Sequence, residues 1–221
     1  MNKPPTFDQR KTGLDDPRAL DILTIEHWSL LSVRSLGYQE MFARATIFIG
    51  VLSGTVIALA LLAQATQFSR QTLSFAAVLF AVSLFIGLAT FVRCVAINLE
   101  DVRWVMGMSL LRRAYLQIVP ELEQFFVASH EPGAALRPLG YGSPQRFGNL
   151  INSLTTTTSV VAALNSVLAG SLACDVSTLV GLALTPSLAI GAGLSVVSAV
   201  LHVRYAARVR RQHAPTTKSP A

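Results

Sequence analysis

Residues 45–67 read ATIFIGVLSGTVIALALLAQATQ, a stretch without one charged side chain. About 20 residues at a rise of 1.5 Å cross the hydrocarbon of a bilayer, so an apolar, charge-free run longer than about 18 residues reads as a membrane-spanning helix. Three further runs qualify: 73–92 (LSFAAVLFAVSLFIGLATFV), 156–174 (TTTSVVAALNSVLAGSLAC) and 178–203 (TLVGLALTPSLAIGAGLSVVSAVLHV). An unpaired backbone amide is too costly in hydrocarbon for any spanning form but a helix or a closed barrel. Barrel strands alternate apolar and polar residues, and these runs do not. The sequence therefore predicts an all-α fold: a four-helix transmembrane bundle made of two hairpins, residues 45–92 and 155–203.

Composition agrees. Of 221 residues, 52% are hydrophobic and 14% charged, where soluble domains carry about 25% charged residues. The mean hydropathy is +0.50, which excludes a disordered chain and most soluble enzymes. Two cysteines exclude a disulfide framework, and four histidines are too scattered for metal-ligand spacing. No metal or cofactor is expected. Cys94 and Cys174 fall near opposite ends of neighbouring spans and are not expected to pair. The start, MNKPPTFDQRKTGLDDPRAL, lacks the apolar core of a cleaved signal, so the first span is expected to remain as an anchor.

Orientation follows from the basic residues. Of the 18 Lys and Arg, all but Arg70 lie in residues 1–44, in the connector after span two, or in the tail from 204. Lys and Arg favour the cytoplasmic side of short loops, so both termini are expected in the cytoplasm. The net charge of +6 then needs only anionic lipid to explain it. The lipid bilayer is the expected partner, and nucleic acid is not, because no aromatic-interleaved basic patch accompanies the charge.

Outside the spans, residues 1–16 lack periodicity and are expected to be disordered. Asp16 and Pro17 read as a helix cap followed by a first-turn proline, opening an amphipathic cytoplasmic helix over 17–44 with Gly37 as the place for a bend. Residues 93–154 read as a cytoplasmic helical extension of span two followed by a Gly/Pro-rich loop, with a short helix, PELEQFFVAS, from Pro120. Residues 204–221 form a basic tail. Trp104, Met108, Leu111, Tyr115 and Ile118 recur at four- and three-residue intervals and make one stripe. Its natural neighbour is the helix before span one, and it is the candidate cytoplasmic interaction surface. The loop from His130 holds no phosphate-cradling or nucleophile-elbow spacing.

Within the spans, small residues recur every four positions: Gly50, Gly54 and Ala58; Ala162, Ser166, Gly170 and Cys174; Ser187, Gly191, Ser195 and Ala199. Such faces let helix backbones approach closely. They predict helix contacts, within the chain for spans three and four. Asn165 is the one strongly polar side chain near the middle of a span and is expected to hydrogen-bond between helices. Arg93 is placed to snorkel from the end of span two, and Pro186 is expected to kink span four. Glu26, His27, Glu100, Asp101 and His130 are the acids and histidines that could meet near the membrane face. Adjacent helical residues point about 100° apart, so Glu26 and His27 do not aim at one substrate. Ion pairs among Glu26, Arg34, Asp101 and Arg103 are the plainer expectation, and no catalytic residue is assigned.

The stretches TIEHWSLLSVRSLGYQEMFAR and FVRCVAINLEDVRWVMGMSLLRRAYLQIVPELEQFF resemble a group of uncharacterised bacterial four-span integral membrane proteins with no assigned activity. The resemblance covers roughly residues 22–130 and implies a bacterial inner-membrane location without implying a mechanism. The functional expectation is a non-enzymatic, membrane-anchored interaction or oligomerisation module that forms a homo-oligomer or engages a cytoplasmic protein. The alternative is an oligomeric pore or membrane-permeabilising effector lined by Thr155–Ser159 and Asn165.

Overall fold

The computed structural model describes residues 13–67, 69–131 and 156–212. It is all-helical: α1 (Ala19–Thr66), α2 (Arg70–Ile118), a 3-10 turn (Pro120–Phe125), α3 (Thr157–Leu179) and α4 (Leu184–Gln212), with no strand among the described residues. All four α-helices are long and apolar enough to cross a membrane.

α1 has 48 residues and α2 has 49, so each is about 70 Å long at 1.5 Å per residue, against about 30 Å of hydrocarbon. Each therefore continues well past its apolar run, α1 on its N-terminal side and α2 on its C-terminal side. Asp16 starts α1 as the cap: its carboxylate accepts the Arg18 amide at 2.9 Å and its carbonyl accepts Ala19 N–H at 2.8 Å. α1 runs through Gly37 without losing helical assignment. α2 stops where Pro120 can no longer donate a backbone hydrogen bond. The short helix expected over 120–129 is only the 3-10 turn, after which Phe126 is extended. Of the expected disordered stretch 1–16, residues 1–12 lie outside the described residues and Gly13 to Asp16 form a turn closed at 3.3 Å. The Gly/Pro-rich loop from residue 132 and the tail beyond residue 212 also lie outside them.

The second hairpin differs from expectation in its boundaries. α3 does not end at Cys174 but runs to Leu179. Gly181 adopts φ +100, Leu182 N–H reaches Ser177 O at 3.1 Å, and Gly181 N–H reaches Thr178 O at 3.0 Å. This is a Schellman stop, which glycine makes at no steric cost. α4 consequently begins at Leu184, and Pro186 lies in its first turn, where a missing N–H breaks nothing, not in the middle of a span. The other end of α4 carries the basic segment as helix up to Gln212.

Contacts divide the chain into two compact units, one of Met1–Leu36 with Glu100–Pro144 and one of Gly37–Leu99 with Gln145–Ala221. In the first, Val102, Val105 and Met108 are buried, with Leu30 and Met106 packed against them. In the second, Ala45 and Phe48 of α1, Phe91 and Val95 of α2, and Val161 and Leu168 of α3 form the core, joined by Ala206 and Val209 of α4.

Candidate functional site

α3 and α4 touch backbone to backbone. A methyl group placed on Gly170 would overlap Ser195 Oγ and stand 2.5 Å from the Gly191 carbonyl oxygen; one on Gly191 would stand 2.7 Å from the Gly170 carbonyl oxygen and 3.0 Å from Cys174 Cβ. The two glycines therefore face each other across the closest point of the hairpin. Ser166 is buried beside Gly170, while Ala162 and Ser195 are half-buried. Ser166 and Ser187 donate to carbonyls one turn back, at 2.8 and 3.0 Å, so no hydroxyl is stranded at this contact.

The small residues of α1 are placed differently. Gly50, Gly54 and Ala58 are exposed, and nothing lies within 4 Å of where a side chain on Gly50 or Gly54 would begin. α1 turns another face inward, with Met41, Ala45, Phe48, Leu52 and Thr55 at intervals of four and three. The corresponding seam of α2 runs through Ala76, Ser83, Gly87, Thr90, Cys94 and Ile97, all buried. Thr55 and Ser83 join the two seams by a 3.0 Å hydroxyl contact. This spacing was present in the sequence, but the apolarity of the whole span hides it.

Asn165 is fully buried, yet neither its Nδ2 nor its Oδ1 has a hydrogen-bond partner among the described residues. It packs on the bare Cα of Gly87 beside the Phe48 ring: a methyl group on Gly87 would overlap Asn165 Oδ1 and come within 2.7 Å of Phe48. The expected interhelical hydrogen bond is thus replaced by close packing, because the surface facing the amide is a glycine and an aromatic edge. Thr158 accepts from Asn98 at 2.9 Å, and Thr156 caps α3 by accepting the Ser159 amide.

Arg93, expected at the end of span two, is paired across to α1. Its guanidinium grips Glu40 at 2.8 and 2.9 Å, and Arg44 reaches the same carboxylate at 2.8 Å. Arg93 first and Arg44 second hold the Glu40 carboxyl at about 2, below the usual carboxylate range. Glu40 lies before the span, so this pairing gathers charge at the edge of the apolar run.

In the first unit, Arg34 Nε meets Asp101 Oδ1 at 2.6 Å, with the Asp101 side chain only 5% exposed. His27 stacks on Tyr115 with ring centroids 5.9 Å apart, and burial, then the Arg112 charge, lowers its pKa from the usual 6.5. Of the stripe, Met108 is buried, and Trp104, Leu111, Tyr115 and Ile118 are half-buried. The stripe is thus partly used up inside the unit, where Leu30 packs over Gly107 so that a methyl group placed there would stand 3.0 Å from Leu30 Cδ1. The most exposed large apolar residues of the unit's two long helices are on α1: Ile22, Ile25, Trp28 and Leu36 are each more than 60% exposed, against 53% for Leu110 of α2.

Two buried polar groups had no place in the sequence reading. His202 donates from Nδ1 to the Ser198 carbonyl, 2.7 Å away, and meets Phe91 edge-on at 4.5 Å. Asp175, which falls between the charge-free runs 156–174 and 178–203, lies in the last helical turns of α3 and is buried. Gly181 as the helix stop was the signal that would have placed it there. Cys94 and Cys174 are both free thiols. Comparison with family models, with curated proteins and with solved structures finds no match for this chain.

Proposed function

We propose that this chain is a non-enzymatic protein of the bacterial inner membrane, with both termini in the cytoplasm, which works by association through the outward faces of α1. The observation that carries the reading is the exposure of Gly50, Gly54 and Ala58 on a helix long and apolar enough to lie in lipid. In a bilayer, backbone approach along such a face is a principal source of helix affinity, and the partner that matches it most simply is a second copy of the same face. In the first unit, Ile22, Ile25, Trp28 and Leu36 make an outward apolar face of their own, which a cytoplasmic partner or the second copy would cover.

The ionisable groups support a structural use. Asp101 is taken by Arg34, Glu40 by Arg93 and Arg44, and His27 by the Tyr115 ring. A pore lined by Asn165 fits less well, since Gly87 and Phe48 cover that side chain completely. The test is cross-linking or single-molecule photobleaching in native membranes. Oligomers are expected from the wild-type chain and monomers from Gly54→Leu; a wild-type chain that is strictly monomeric and partnerless overturns the reading.

A further inference from the structure

Near the C-terminal ends of α1 and α3 and the start of α2, the second unit holds a cavity of about 490 Å³, lined by Leu59, Ala60, Ala63, Leu73 and Ala76 together with Gln64, Thr72 and Asp175. That is within the ordinary size range of ligand sites, about 300–1,000 Å³, and its wall is apolar with few polar groups, as such sites are. Asp175 is 9% exposed, and its Oδ2 is buried without a partner among the described residues. Thr72 has no donor to spare for it, being engaged with the Thr66 and Ser69 hydroxyls. A charged carboxylate against an apolar wall is costly without a cation or hydrogen-bond donors beside it, so a cationic ligand would satisfy the buried Oδ2.

We propose that the cavity binds an amphiphile with a primary ammonium head, the head on Asp175 and the chain along Leu59, Ala63, Leu73 and Ala76, and that the occupant is an ethanolamine phospholipid of the surrounding bilayer. Three features choose this class. The wall is long and apolar, which suits an acyl chain and not a hydrated amine. Asp175 lies one helical turn before the end of α3, and headgroups begin near the ends of a helix that crosses a bilayer. Arg70, the first residue of α2, donates to the Leu179 carbonyl at 2.9 Å, one turn beyond Asp175, and is otherwise exposed. Its remaining guanidinium donors suit a phosphate, so that an anionic and a cationic side chain stand in the order that a zwitterionic headgroup requires.

The experiment uses the purified full chain in nonionic micelles, with bound lipid counted by native mass spectrometry and unfolding followed by thermal melting. Phosphatidylethanolamine is expected to be retained and to raise the melting temperature. Phosphatidylcholine, whose head has the same charge but no N–H donor, should be retained about tenfold less, the effect of losing a charge-assisted hydrogen bond. A long-chain primary alkylamine should compete with the first lipid. Asp175→Asn should lower phosphatidylethanolamine affinity about tenfold with helicity unchanged, and Ala63→Leu, which fills the cavity and leaves Asp175 in place, should lower it as well. Equal retention of the two lipids overturns the proposal, and so does wild-type affinity in either variant. Binding of the alkylamine without the ethanolamine lipid overturns the lipid as occupant. If Asp175→Asn does not fold, Ala63→Leu decides. None of these outcomes depends on association through Gly54.

Discussion

The α3–α4 hairpin and α1 carry small residues at the same four-residue interval and use them in different ways. In the hairpin, Gly170 and Gly191 press their backbones together, each filling the space where the other's side chain would be. On α1, Gly50 and Gly54 look into open space. Spacing alone makes a face able to approach another backbone closely; what stands opposite decides whether it does. The Schellman stop at Gly181 returns α4 directly against α3, so the two small faces have no choice but to meet. α1 meets α2 instead through Met41, Ala45, Phe48, Leu52 and Thr55, and this leaves Gly50, Gly54 and Ala58 for a partner outside the chain.

Closing the comparison from the hairpin side gives the largest effect. Gly191→Leu forces a branched side chain into the Gly170 carbonyl, so the two backbones must separate. The expected loss is about 3 kcal/mol, at the upper end of what overpacking costs, measured by reversible unfolding in mixed micelles. Gly54→Leu is the matching change on α1. It meets no atom of its own chain, so unfolding should move by less than about 0.5 kcal/mol. Dissociation of the oligomer should instead rise about tenfold or more, because the close backbone approach is gone. If Gly54→Leu unfolds the chain as Gly191→Leu does, the two faces are not different in kind.

Much of this contrast was beyond the reach of sequence reading, for physical reasons. The four spans announce themselves by length and apolarity, and the great length of α2 follows from the absence of proline before Pro120. The break between α3 and α4 does not, since apolar residues continue across it and only the backbone angle of Gly181 marks it. Hence Pro186 was expected in mid-span and Asp175 outside one. The small-residue stripes were legible, but not which would be covered, because in a span where every face is apolar the inward seam has no compositional contrast. The Trp104 to Ile118 stripe was legible with its neighbour, because Asp101 and Arg34 mark that side of the pair with charge.

Acidification sharpens the comparison by separating two regions of α1. Burial and Arg112 hold the His27 pKa below 6.5, so the folded unit binds this proton less readily than the unfolded chain. Stability of the first unit is therefore complete above about pH 6.5, falls as pH drops below that value, and levels off once His27 is protonated in the fold as well. The dependence should correspond to one proton and vanish in His27→Gln, as read by hydrogen exchange in residues 19–36 and 100–118. Association through Gly50, Gly54 and Ala58 should be indifferent over the same range. Association that weakens with the exchange protection assigns the contact to Ile25 and Trp28 instead.

The smallest expected effect is at Asn165, and it tests whether the interior is as closed as the glycine contacts imply. The amide is fully buried and makes no hydrogen bond among the described residues, which costs about 1–3 kcal/mol relative to a satisfied group. Leucine keeps the branched shape and has no polar atoms to strand, but its two methyl groups are larger than the amide oxygen and nitrogen and must be forced between the Gly87 Cα and the Phe48 ring, an overpacking cost of about 1–3 kcal/mol. The two terms nearly cancel, so Asn165→Leu should stay within about 1 kcal/mol of wild type, with ion flux in proteoliposomes unchanged. A loss well above that would mean that the interior around Asn165 gives way even less than the glycine contacts imply, the opposite extreme from the open face at Gly50 and Gly54.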